Sequence, residues 1–230
     1  MNRQPAPWTK AGGRSPFLVA HRAGNYLADL KAAEQLGVGQ IEADVRLHRG
    51  KLEVRHLKTI GPLPILWDRW KLAAPWHPRL QLHELLSALA PETDLLLDLK
   101  GPRKELGTRV LDAIRPYLGE RDFTVCARSW RVLETFAGLS VRRVHSVGSA
   151  RQLRRLQLRF AGERLDGISI HERLLDRDSV ASLRVIADVI MTWPVNVPER
   201  ARELVRLGVD GLITDDVAGL VHAGVLEATA

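Results

Sequence analysis

The sequence predicts a single-domain (β/α)₈ TIM barrel, and three observations carry that prediction. Eight short apolar segments of strand length recur along the chain. Helical patterns separate them, which implies parallel strands joined by right-handed crossovers, with both faces of the sheet covered. An open doubly wound sheet is the other architecture of this kind, but its common nucleotide-binding signatures are missing. No Gly-x-Gly-x-x-Gly follows the first strand, and no Gly-Lys-Ser/Thr phosphate loop occurs. With 230 residues, the chain is somewhat smaller than the roughly 250 residues usual for a closed barrel.

Residues 1–15 contain Pro5, Pro7, Gly12 and Gly13 without periodicity, so a flexible tail is expected there and the barrel over 16–230. Phe17-Leu18-Val19-Ala20-His21 reads as a buried strand ending on a polar residue, with a turn at Gly24-Asn25. Leu27, Leu30, Ala33 and Leu36 recur at helical spacing and Gly37 stops the helix. The second strand carries Glu42 and Asp44, and after a turn at Arg49-Gly50 the alternating run Leu52-Glu53-Val54-Arg55-His56 returns. The stretch Gly61-Pro62-Leu63-Pro64 and on to Trp70 reads as a loop crossing one end of the fold, with Trp67 and Trp70 packing it.

A short helix over 82–90 leads to the strand Asp94-Leu95-Leu96-Leu97-Asp98-Leu99-Lys100. Leu106, Val110, Ile114 and Leu118 make a helical stripe before the strand at 124–128, followed by a helix with Trp130, Leu133 and Ala137 inward. The strand at 143–148 precedes an arginine-rich helix that Ser149 is placed to cap. Strands at 167–171, 189–195 and 211–215 complete the eight, with helices starting near Asp178 and at Pro198 between them.

The formal charge of +7 and isoelectric point near 10.1 admit anionic partners, nucleic acid or an anionic membrane surface among them. Leu153, Leu156 and Phe160 recur at helical spacing through the arginine-rich segment, so its arginines are expected on a solvated face. Aromatic side chains for base stacking are absent there, which disfavours nucleic acid. No apolar run reaches the roughly 18 residues of a membrane span and no signal-like N-terminus is seen, so a soluble cytoplasmic protein is expected. One cysteine, Cys126, excludes an intrachain disulfide and a cysteine-built zinc site. No protein partner is implied.

In a barrel of this kind, chemistry sits at the C-terminal ends of the strands. His21, Arg22, Glu42, Asp44, His56, Asp98, Lys100, Arg128, His145, His171, Trp193 and Asp215 are the residues expected to ring that mouth. Alternation sets Glu42 and Asp44 on one strand face. With Asp98 they offer hard oxygen donors suited to Mg²⁺ or Ca²⁺. Histidines transfer protons near neutral pH, and Arg22 and Lys100 add fixed positive charge, so the set points to a phosphate ester substrate. His48, His77, His83 and His222 are read as incidental, Asp215 as orienting the last turn, and Cys126 as a buried hydrophobe.

The order His21-Arg22, Glu42-Ala43-Asp44-Val45, Gly50, His56, Asp98-Leu99-Lys100, Trp193-Pro194-Val195-Asn196 and Gly208 through Asp215 resembles the glycerophosphodiester phosphodiesterase family. The resemblance implies a barrel that hydrolyses glycerophosphodiesters to glycerol 3-phosphate and an alcohol with a divalent cation. By the same resemblance His21 and His56 act as general acid and base, while Glu42, Asp44 and Asp98 hold the metal. Arg22 and Lys100 contact the phosphate, and Trp193 packs against the substrate. The implied route has a glycerol hydroxyl attack phosphorus to give a cyclic phosphate that water opens.

This chain departs from the family pattern at several places. Ala23 stands where glycine is usual, Leu57 where aspartate is usual, Asp98 where glutamate is usual, and the connection to Glu42 is short. These changes bear on the substrate rather than on the chemistry. The alternatives are a phospholipase D-like enzyme acting on lysophospholipids, and a non-catalytic barrel that binds a phosphorylated ligand or nucleic acid.

Overall fold

Eight parallel strands, paired edge to edge, close on themselves. The structure, a computed structural model, describes residues 16–38, 40–59, 66–68, 71–73 and 79–226. In chain order the strands are β1 (Phe17–Ala20), β2 (Gln40–His48), β3 (Lys51–Val54), β4 (Lys58–Thr59), β5 (Leu66–Asp68), β6 (Lys71–Ala73), β7 (Asp94–Leu99), β8 (Phe123–Ala127), β9 (Val141–Val147), β10 (Leu165–His171), β11 (Ala187–Trp193) and β12 (Gly211–Thr214). The helices are α1 (Leu27–Gln35), α2 (Leu82–Ala88), α3 (Lys104–Ile114), α4 (Ala150–Arg159), α5 (Arg177–Ile186), α6 (Pro198–Arg206) and α7 (Val217–His222).

The ring runs β1-β2-β7-β8-β9-β10-β11-β12 and returns to β1. Pairing of Ala20 with Thr214 on one side and with Ile41 on the other closes it. All eight strands read from the sequence are these eight. Among the described residues, no helix is long and apolar enough to cross a membrane.

Period-two alternation divides the core in two. Val19, Leu96, Cys126, Val144, Val189, Met191 and Ile213 point inward and fill the barrel. Their neighbours Leu18, Leu95, Leu97, Val125 and Ile190 point outward and are buried under the helices in a larger cluster. A barrel so filled is a packed core, so a site is left only at the rim. Gly211 is required inside it. A Cβ there would stand 2.6 Å from Met191 Cγ and 2.9 Å from Phe17 Cζ.

Past the ring, β2 runs on into a hairpin with β3, pairing His48 with Lys51. Arg49 and Gly50 both have positive φ, 48° and 78°, the requirement of a two-residue type I′ turn. The hairpin brings the chain back so that Arg55 N donates to Asp44 O at 2.8 Å, and His56 follows at the mouth. The return predicted from the alternation of Leu52 to His56 is therefore what forms.

Four expectations are corrected. The segment from Trp130 is a 3₁₀ helix (Trp130–Phe136) rather than an α-helix. Its buried residues Trp130, Leu133 and Phe136 recur every third position, as three residues per turn demand, and Ala137 is exposed. The region after His56 is not wholly loop, since β4, β5 and β6 form a small antiparallel sheet. His145 does not reach the mouth. It lies one residue out of phase with inward Val144, so it faces the helical layer, with ring centroids 6.0 Å from Trp130 and 4.8 Å from Phe160. The fourth concerns the arginine-rich helix and is described with the cavity. The expected tail over 1–15, Gly61 to Pro64, Trp70 and His77 lie outside the described residues.

Ser149 caps α4 by accepting from Gln152 N at 3.3 Å, and Asp176 caps α5 by accepting from Ser179 N at 2.8 Å. Phe136, fully enclosed between α3 and the barrel wall, is among the largest buried side chains. Phe136→Ala is expected to lose about 3–5 kcal/mol in urea unfolding, while Leu158→Ala, at an 81% exposed position, should change stability by about 0.5 kcal/mol or less.

Burial, and then the charge of Arg143, push His145 down to about 4. Its Nδ1 is buried with no hydrogen-bond partner among the described residues. Because the folded value lies below the unfolded one, the unfolded state takes up the extra proton between pH 6.5 and 4, and stability falls as pH drops through that window. At pH 4.5 this penalty should be roughly 2–3 kcal/mol. His145→Leu should remove that part of the difference between unfolding measured at pH 7.5 and at pH 4.5.

Candidate active site

The acidic cluster at the mouth follows from strand register. Asp44 pairs with Asp98 and Glu42 with Leu96 across β2 and β7, so the three carboxylates lie on the inward faces of adjacent strands. One oxygen from each of Glu42, Asp44 and Asp98 lies within 4.8 Å of the others. The structure thus brings together the three acids that the sequence singled out.

The turn after β1 holds two of them. Arg22 adopts φ 58°, a conformation a residue with a side chain rarely takes, and its backbone N donates to Glu42 Oε2 at 2.6 Å. Gly24 then presses against β2, where a Cβ would stand 2.7 Å from that of Ala43. This close approach lets Asn25 clamp Asp44 from both sides. Asn25 Nδ2 donates to Asp44 Oδ2 at 2.7 Å, and Asn25 Oδ1 accepts from Asp44 N at 2.8 Å.

Three acids so close cannot all be charged without compensation. Lys100 supplies it, with Nζ 2.8 Å from Asp44 Oδ1 and in contact with Asp98 Oδ2. Burial pushes Asp44 up, but the charge and hydrogen bond of Lys100, together with His56 and Asn25, outweigh it and hold Asp44 at about 2. Glu42 goes the other way. Burial, and then the neighbouring Asp44, push it well above the usual carboxylate range. Burial lowers the Lys100 ammonium, and the charges of Asp98, Asp44 and Glu42 more than reverse that. The donor chemistry fits a divalent cation: the site is made of hard carboxylate oxygens, and the crowding of negative charge that pushes Glu42 upward is what a cation would relieve.

His21 is held by the last strand. Its Nδ1 lies 2.7 Å from Asp215 Oδ1, which requires the proton on Nδ1 and leaves Nε2 to exchange one. Asp215 is fixed in turn by Asn196, whose Nδ2 lies 3.2 Å from Asp215 Oδ2 and whose Oδ1 accepts from Asp215 N at 2.9 Å. The hydrogen bond from His21 holds Asp215 below the usual carboxylate range against the opposing effect of burial. On the other side, Arg46 braces the two connections that carry His56 and Lys100, donating to their carbonyls at 3.1 and 3.4 Å.

His21, Arg22, Glu42, His56, Asp98, Lys100 and Trp193 all line one open cavity of about 1130 Å³. Asp44 lies beneath it, fully enclosed. Arg128, His171 and Asp215 also reach it, as the sequence suggested, whereas His145 does not. The arginine-rich helix corrects an expectation: Arg155 and Arg159 are on the cavity wall with Gln152, because α4 follows β9 directly and these positions, three and four apart, share the helix face turned to the mouth.

Sequence reasoning missed Asn25, taken as part of a turn, Arg46, and the role of Asp215 as partner of His21. The last had a signal. A closed barrel puts the first and last strands side by side, so the residues just after them must meet.

The sequence matches no protein-family model and no curated protein. Solved structures are similar in fold. A phosphodiesterase of Oleispira antarctica in complex with the product sn-glycerol-3-phosphate is 20% identical, with TM-score 0.73 over 91% of this chain and 96% of that one. The glycerophosphodiester phosphodiesterase of Thermotoga maritima is 20% identical, with TM-score 0.72 over 92% of this chain and 99% of that one. A glycerophosphodiester phosphodiesterase of Parabacteroides distasonis is 19% identical, with TM-score 0.70 over 94% and 99%. The chain therefore shares, over more than nine-tenths of its length, the barrel fold of glycerophosphodiester phosphodiesterases.

Proposed function

We propose that this protein is a metal-dependent phosphodiesterase that hydrolyses glycerophosphodiesters to glycerol 3-phosphate and an alcohol. The observation that carries the reading is the convergence of His21 and His56 with Glu42, Asp98, Arg22 and Lys100 on one cavity at the C-terminal mouth of the barrel. The glycerol phosphate bound as product in the Oleispira antarctica phosphodiesterase, together with the shared fold, supports the same product class here.

Glu42, Asp44 and Asp98 would hold the cation, Mg²⁺ or Ca²⁺, whose charge stabilises negative charge on phosphoryl oxygens. Arg22 and Lys100 do the same from the protein side, and Trp193 packs against the substrate. His21, with Nδ1 committed to Asp215, accepts the proton of the attacking glycerol hydroxyl at Nε2. His56 gives a proton to the oxygen of the departing alcohol. The bond from phosphorus to that oxygen breaks as the bond to the glycerol oxygen forms, leaving a cyclic phosphate. Water then opens the ring with the two proton transfers reversed, and glycerol phosphate leaves.

His21→Ala and His56→Ala should each lower kcat about 10²–10⁴-fold, and Glu42→Ala or a chelator should abolish turnover of deacylated phospholipid diesters measured by release of glycerol phosphate. Turnover that survives all of these would overturn the reading.

The upward shift of Glu42 gives a second expectation, independent of turnover. A cation competes with a proton for this carboxylate, so its binding should release protons and weaken as pH falls. Calorimetric titration with Mg²⁺ or Ca²⁺ in buffers of different ionisation enthalpy measures the release, and Glu42→Gln should remove it.

A further inference from the structure

The carboxylates at the mouth of the barrel lie in one half of it, together with every residue to which the proposed chemistry gives proton transfer, the cation or the scissile phosphate. Around the ring, β12, β1, β2 and β7 are neighbours, and they carry Asp215, His21, Glu42, Asp44 and Asp98. Every carboxylate that lines the cavity among the described residues, Glu42, Asp98 and Asp215, belongs to this half. The other four strands, β8 to β11, and the connections that follow them contribute none. They contribute Arg128, Arg131, Arg155, Arg159 and Arg173, with Trp130 and Trp193 between.

Arg159 meets Glu134 at 3.3 Å, and the other four pair with no carboxylate among the described residues. Elsewhere on the same barrel, Arg142, Arg164, Arg184 and Arg200 are each held by an acid, Asp122, Asp188, Asp210 and Glu172, at 2.7–3.0 Å. An ordinary soluble surface mixes the two signs. Here a concave wall keeps one sign only, and a low-dielectric cleft of one sign concentrates the opposite charge.

The two tryptophans sharpen the chemistry. The Arg128 guanidinium carbon lies 5.5 Å from the centre of the Trp193 ring, and that of Arg155 lies 5.6 Å from Trp130. Stacking orders the guanidinium planes while leaving their N–H edges to donate. It also covers the aromatic faces that a quaternary ammonium would need. A choline or ethanolamine half-molecule would meet four cations and no open aromatic cage. A phosphomonoester, with up to two negative charges and three acceptor oxygens, engages several guanidinium groups at once.

We infer that this wall binds the alcohol half of the diester and that this half carries a phosphomonoester, so that the substrate class is a glycerophosphodiester of a phosphorylated polyol. The inference rests on the phosphodiesterase reading for the position of the scissile phosphate, and adds the chemistry of the leaving group.

Two arms test it on the full chain. In the first, kcat/KM is measured with divalent cation on glycerophosphocholine, glycerophosphoserine, glycerophosphoinositol and glycerophosphoinositol 4-phosphate. The phosphorylated substrate should exceed glycerophosphoinositol by about tenfold or more, mainly through KM, with the choline ester lowest. The double variant Arg128→Ala/Arg155→Ala should collapse that ratio toward one. Arg151→Ala/Arg154→Ala, on α4 but off the cavity, should leave it unchanged.

The second arm needs no turnover: calorimetric binding of inositol 4-phosphate and of inositol. Tighter binding of the phosphate, lost in the Arg128/Arg155 variant, supports the subsite even where no diester is hydrolysed, which would sink the phosphodiesterase reading alone. Binding of inositol 4-phosphate no tighter than inositol, or equally weakened by the Arg151/Arg154 variant, overturns the inference. A gain for glycerophosphoserine equal to that for the phosphorylated diester overturns the phosphomonoester assignment.

Discussion

Packing three carboxylates at the mouth of a closed barrel is the constraint on which the rest of the site depends. Their oxygens lie within 4.8 Å of one another, and two of the three side chains are almost wholly shielded from water. Such a group survives only with positive charge and hydrogen bonds supplied on site. Lys100 supplies the charge, Asn25 both backs Asp44 and anchors its backbone, and the amide of Arg22 serves Glu42. Even so, burial and the charge of Asp44 push Glu42 well above the usual carboxylate range.

The backbone features around the cluster have the same origin. The left-handed conformation of Arg22 aims its amide at Glu42, and the absence of a side chain at Gly24 lets the short turn lie against β2. Each is a local concession that brings donors to buried acceptors. The tight turn at Arg49-Gly50 does comparable work at longer range, since it reverses β2 and returns His56 to the acids on which its strand began. His21 gains its orientation from the opposite edge, through Asp215 and Asn196. Four neighbouring strands thus make one connected polar assembly.

The opposite half of the mouth follows a different logic. Its arginines are exposed, and apart from Arg159, which meets Glu134, they are stacked on tryptophan faces or without a carboxylate partner among the described residues, so they cost little in the empty cavity and present positive charge to whatever enters. Carboxylates gathered on one side, and arginines without carboxylates on the other, make the two halves of the cavity chemically different, so the two ends of a substrate are not equivalent in it.

The sequence by itself determined the fold and the acidic cluster. Eight apolar segments with helical patterns between them, read by period, returned all eight barrel strands. Alternation alone placed Glu42 and Asp44 on one face, and the spacing of Asp98 and Lys100 put both at the end of the adjoining strand. These properties are local, because a strand's faces are set by its own residues. Tertiary structure decided what depends on which strands meet. Only ring closure sets His21 beside Asp215, and only the packing of the Ala23–Asn25 turn against β2 sends Asn25 to Asp44. His145 and the 3₁₀ segment from Trp130 show the same limit. A one-residue phase difference turned the histidine into the helical layer, and a period of three replaced the α-helical one. The arginines of α4 had a periodicity that marked them as polar, but their place on the cavity wall comes from where β9 releases the helix. Residues distant in sequence become neighbours through the closed sheet, and no local pattern encodes that adjacency.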